Sequence, residues 1–203
     1  MEVQNQIFTK RFLLLFTANL SVFVVFYAML TIFPLYVMQT LNGTQEQAGL
    51  LVTVFMISAI IVRPFSGKLL DIYGKKHLLV IGAIFYLICT LLYTTIDSLS
   101  LLMVIRFLQG ATFSIVTTGC MSLAAETIPT KRKGTGLGYF MMSSNLAVVL
   151  GPLVGLLLLQ YVSFEMIFVF LGLIMVLGVV SGILVDTSDL PKPNKDLKLT
   201  FKL

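Results

Sequence analysis

Side chains able to do chemistry are scarce in this sequence: 14 Lys and Arg, 9 Asp and Glu and 1 His among 203 residues. Two of them stand apart. Arg106 alone interrupts an apolar run over residues 98–125. A full charge in such a run costs a few kcal/mol in lipid and faces a cavity or a partner, unless it snorkels to the surface. A guanidinium keeps its proton, so Arg106 cannot itself carry one. Asp71 lies just past the C-terminal end of another run, where a helix presents its negative dipole end. An acid there is mismatched by roughly 0.3–1 kcal/mol unless something positive faces it. Lys68 and Lys75 are the local choices, and the N-terminus of another helix is the alternative. Glu126 reads as structural. His77 sits among lysines with no second ligand in view, and Cys89 and Cys120 fall inside apolar runs without CxxC spacing. No catalytic residue, metal site or cofactor is expected. An integral-membrane enzyme is a poor reading, because no His, Asp or Glu cluster shares a common depth.

The elements that position these residues follow from composition. Hydrophobic residues make up 58% and charged ones 11%, well beyond the roughly 45–50% apolar content of soluble domains. Crossing a bilayer takes about 20 largely apolar residues. Six such spans are expected, at about 12–38, 46–66, 78–95, 101–126, 135–160 and 165–185, making a transmembrane bundle over 12–185. Residues 1–11 form a polar N-terminus, and 186–203, with Pro191 and Pro193, read as a flexible linker or tail. The first span is too long for a signal peptide and lacks a cleavage site. Pro34 should kink or end it near its far side. Asn42-Gly43 marks a turn, which explains Asn42-Gly43-Thr44 more simply than glycosylation does.

Net charge is +5, yet the bases lie in loops between spans rather than on a basic, aromatic-laced face, so no nucleic-acid partner is expected. One side of the membrane collects Lys10, Arg11, Lys68, Lys75, Lys76, Lys131, Arg132, Lys133 and the tail lysines; the other holds Glu46, Asp97 and Glu165. The positive-inside rule makes both termini cytoplasmic, in a multi-pass protein of the cell membrane.

Three motifs carry a resemblance. Gly67, Leu69, Asp71, Gly74, Lys75 and Lys76 resemble the loop between helices 2 and 3 of the major facilitator superfamily, G-x-L-(small)-D-(R/K)-x-G-(R/K)-(R/K), with Leu70 and Ile72 departing from it. Arg106, Gln109 and Gly110 resemble its fourth-helix motif R-x-x-Q-G, whose arginine lies near the substrate and proton pathway. Gly151, Pro152 and Gly155 resemble the fifth-helix motif of proton-coupled exporters, with Ala147 and Leu156 in place of outer glycines. The resemblance implies an all-α membrane fold, here the N-terminal six-helix half, with helices 1, 2, 4 and 5 facing a central site and 3 and 6 facing lipid. It implies a secondary active transporter working by alternating access, an efflux permease for drugs or metabolites conferring drug resistance by antiport. Asn19, Phe23, Tyr27, Phe113, Met141 and Asn145 are the expected substrate-facing residues. A proton gradient is one energy source open to it; no acid lies inside a span, so either the coupling acid lies elsewhere or transport is not coupled to protons. Expected partners are the bilayer, a small-molecule substrate and a second six-helix half, in the same chain or another subunit. The other reading is a non-transporting membrane module, or a half that needs or modulates a partner.

Overall fold

The computed structural model describes residues 7–190. They form six helices: α1 (Lys10–Gln39), α2 (Gln45–Tyr73), α3 (Lys75–Leu92), α4 (Leu99–Thr127), α5 (Lys133–Leu159) and α6 (Phe164–Leu184), with a single 3₁₀ turn at Thr130–Arg132 before α5. All six are long and apolar enough to cross a membrane.

Local chemistry sets their ends. Thr9 starts α1 by accepting the amide of Phe12 on its hydroxyl at 3.1 Å. Thr44 and Gln47 start α2 reciprocally, each side chain accepting the other's backbone N–H, which satisfies two amides that the first turn leaves without partners. Asn42, at φ 52°, turns the chain between them.

The first helix ends close to where expected, with Pro34 inside it and the helix continuing to Gln39. One expectation changes here. The second helix does not stop near residue 66: it runs through Pro64 and Gly67 to Tyr73, so Asp71 lies in its last turn rather than beyond it. Past Ser66, Leu69 and Leu70 keep an apolar face, and Leu70 is fully buried against α4 near Gly119. What stops α2 is Gly74, whose φ of 96° suits a residue without a Cβ. That one residue is the whole connection to α3. The expected charged loop is therefore a helix end, a one-residue joint and a helix start.

Among these helices α1 is the most deeply enclosed, packed chiefly on α5 and α6, while α2 rests on α4 and α3 lies on α4 and α6. Small residues set the closest seams. A Cβ on Gly110 would stand 2.3 Å from the Phe55 carbonyl oxygen, and one on Gly151 would stand 2.5 Å from the Tyr27 Cβ. Backbones that approach this closely join helices by dispersion where the surrounding lipid supplies no hydrophobic drive. Since successive helices alternate in direction, the lysines and arginines outside the spans collect at one end, the basic end, and Glu46, Asp97 and Glu165 at the other.

Candidate functional site: a buried arginine and the open faces around it

Arg106 turns into the bundle and is only 3% exposed. Its guanidinium carbon lies 3.8 Å from the centroid of the Phe33 ring and 5.6 Å from those of Phe55 and Tyr93. One hydrogen bond holds its head: Nη1 donates to Gln109 Oε1 at 3.1 Å. Among the described residues no carboxylate pairs with it, and its Nε has no hydrogen-bond partner. Stacking a desolvated guanidinium on an aromatic face is worth about 2 kcal/mol or more, which offsets much of the few kcal/mol that an arginine inside a span costs.

Gln109 is the hub. Its Oε1 also accepts from the Tyr93 hydroxyl at 2.8 Å, and its Nε2 donates to Thr90 Oγ1 at 3.1 Å and reaches Met29 Sδ at 3.8 Å. A neutral network from α1, α3 and α4 thus orients one charge. Phe33, Phe55, Thr90 and Tyr93 were not among the expected site residues. Helix α3, assigned by the resemblance to the lipid side, supplies Thr90, and Tyr93 is the residue that caps its end. The available signal was Thr90 and Tyr93 spaced three apart, one face of a helix.

The six expected substrate-facing residues do not form one group. Asn19 is buried, and its Nδ2 donates to Ser143 Oγ at 2.8 Å, a polar tie between α1 and α5. Phe113 is also buried, in an aromatic cluster with Phe23, Phe26 and Phe55. Phe23 and Tyr27 are half-buried and stack on each other. Met141 and Asn145 are exposed, one turn apart on α5.

At the basic end Lys75 joins two acids: its Nζ donates to Glu126 Oε1 and lies 3.6 Å from Asp71 Oδ1. The joint between α2 and α3 is therefore fastened to the end of α4. Gly67 has nothing within 4 Å of where a Cβ would stand. Arg63, Gly67 and Asp71, spaced four apart, share one face of α2, and Arg63 is exposed beside Ile60, itself 69% exposed. The longer α2 places Arg63 ten residues before the helix end at Tyr73 rather than at the span's exit. Gly151 and Gly155, flanking Pro152, pack on α1 against Tyr27 and Ile32, and Ala147 is buried one turn earlier.

A family model, the Major Facilitator Superfamily, matches residues 14–202. The chain belongs to that family. Its fold corresponds to the N-terminal six-helix half. Similar curated proteins include the quinolone resistance protein NorA of Staphylococcus aureus, 30% identical over 172 residues that cover 83% of this chain and 44% of the relative. An uncharacterised MFS-type transporter of Methanocaldococcus jannaschii is 30% identical over 142 residues, 70% of this chain and 37% of the relative. This superfamily chain therefore spans less than half the length of those relatives. Among solved structures, a POT family transporter in complex with 5-aminolevulinic acid aligns with a TM-score of 0.82 at 18% identity, over 91% of this chain and 40% of the other. An auto-inhibited POT family peptide transporter aligns at 0.80 and 17%, over 93% and 40%. At those identities the likeness is one of fold. The chain is a multi-pass membrane protein of a transporter family.

Proposed function

We propose that this six-helix unit is one half of a secondary active exporter of small amphipathic molecules, and that it acts with a second six-helix half by alternating access. The observation that carries the reading is Arg106, a full positive charge held inside a span on aromatic rings with no paired carboxylate among the described residues. Such a charge makes an electrostatic partner for a substrate or an acid that arrives from outside this unit. The resemblance to NorA, whose name ties it to quinolone resistance, supports export and points to quinolone-like compounds. Half-buried Phe23 and Tyr27, with exposed Met141 and Asn145, are the residues on which such a molecule would rest. Methionine and aromatic surfaces re-pack around varied ligands. The proton gradient is the proposed energy source, with the titrating acid in the second half. The basic end faces the cytoplasm of a cell-membrane protein, by the positive-inside rule.

The exposed face of α2 with Arg63, Gly67 and Asp71 is where the second half would dock: open space at Gly67 admits a close backbone, Arg63 lies exposed on that face, and Asp71, which shares Lys75 with Glu126, would take a further positive partner there. The same open face favours the second reading, a non-transporting module that binds a full partner.

Quinolone accumulation in cells separates the two. With this chain and a second six-helix half from a relative, accumulation should fall, and Arg106→Lys or Arg106→Leu at equal membrane abundance should reduce export at least about tenfold, a factor equal to 1.4 kcal/mol. Export unchanged by Arg106→Leu sinks the role given to that residue. If flux never depends on the chain although a partner is captured, the module reading holds.

A further inference from the structure

The sequence after α6 reads as a flexible linker, yet its first residues lie against the bundle. Val185 leaves the helix in an extended conformation and is fully buried. Asp186 Oδ1 then accepts the Ser188 amide at 3.0 Å, and the Leu190 amide donates to Thr187 O at 3.1 Å, closing a turn that sets Leu190 against the core. At the tip of that turn Asp189 meets Arg11 in a two-point fork, Nη2 to Oδ1 at 2.6 Å and Nη1 to Oδ2 at 3.3 Å. A cleft of about 480 Å³ opens there, lined by Thr9, by Lys10 and Leu14 of α1, by Thr127 of α4 and by Leu184 of α6. Arg11 belongs to the first turn of α1, so the chain that leaves α6 is fastened to the place where the first helix begins.

We propose that residues 185–190 are a releasable strap, with Arg11 and Asp189 as its clasp, which fixes where the chain departs from the bundle and pays out slack when it opens. The hold is of two kinds. Burial of Val185 anchors one end permanently, whereas the clasp is partly exposed, and exposed ion pairs hold weakly. Opening the clasp, with Leu190 lifting from the core, frees residues 186–190, which in extended form reach about 17 Å. Whatever follows position 190 is then tethered more loosely and farther from α1. The strap rests on contacts within this chain alone, so it stands or falls independently of the export reading.

Hydrogen exchange on the full chain in lipid nanodiscs tests it. In the unaltered chain, residues 186–190 should exchange slowly; Asp189→Asn and Arg11→Gln should each speed that segment about three- to fivefold, the upper part of the range for an exposed ion pair. The swapped pair Arg11→Asp with Asp189→Arg should restore slow exchange, while peptides from α4 and α6 stay unchanged in every variant and so report that the bundle is intact. As a second readout, Leu190→Cys should react with a charged maleimide more slowly than Tyr161→Cys on the exposed turn at the acidic end. The proposal is overturned if residues 186–190 exchange equally fast with and without the clasp, or if the swapped pair behaves like the single variants.

Discussion

Gln109 sits between a charge and three neutral partners, and that position makes the Arg106 arrangement testable one group at a time. Tyr93→Phe removes a hydroxyl and keeps the ring near the guanidinium, so Gln109 Oε1 retains only its Arg106 donor. The expected loss is about 1 kcal/mol, the net worth of one hydrogen bond, read as a lower thermal midpoint in detergent. Phe33→Leu takes away the ring under the charge and should cost about 2 kcal/mol or more. If the two variants are equally stable, the aromatic bed is not what holds the arginine. That Arg106 would matter was legible from its isolation in an apolar run. Its inward turn was not, because an arginine's long stem can reach the surface from that depth and an all-apolar helix has no polar face to give direction. Phe33 and Phe55 were indistinguishable in the sequence from aromatics that face lipid.

At the level of helices, glycines divide the bundle into closed and open faces. Gly110 lies against the backbone of Phe55, so Gly110→Ala should push α2 from α4 and cost about 1–3 kcal/mol, as overpacking does. Gly67→Ala meets open space and replaces a poor helix former, so this unit alone should become more stable, by up to about 1 kcal/mol. In the proposed assembly the same change should weaken docking of the second half, measured by co-purification of the two halves. A Gly67→Ala unit that is destabilised on its own, or that co-purifies unimpaired, contradicts the open-face reading. Six spans were legible because each apolar run approaches or exceeds the length a helix needs to cross a bilayer. The end of α2 was not: Arg63, Pro64, Gly67 and Lys68 all suggest an exit. What continues the helix is Leu70 packing at Gly119, a contact with a segment some fifty residues away that local pattern cannot register.

For the whole molecule, orientation and the strap give separate outcomes. A reporter active only outside the cell should be silent when inserted in the turn at Thr130–Arg132 and active after Tyr93, between α3 and α4; the reverse result would invert the proposed topology. Arg11 beside Asp189 draws that carboxyl below the usual range, and the amide of Ser188 does the same for Asp186, which also faces Lys76. A lowered folded value means the clasp's contribution is present above the ordinary carboxylate value, about 3.9, and is lost as pH falls through the lowered one. Exchange of residues 186–190, corrected for intrinsic rates, should therefore match at pH 7 and pH 5; a clasp that opens between those values would refute the pairing. The strap itself was hidden in the sequence, since Asp189 among prolines and lysines looks like any solvated tail. Gly74 has a mechanical meaning as well. With α2 about 43 Å long and joined to α3 through one residue, a difference of about 5° in its direction at Gly74 would carry the far tip of α2 roughly 4 Å. Lys75, paired with Glu126 beside that joint, ties it to the end of α4.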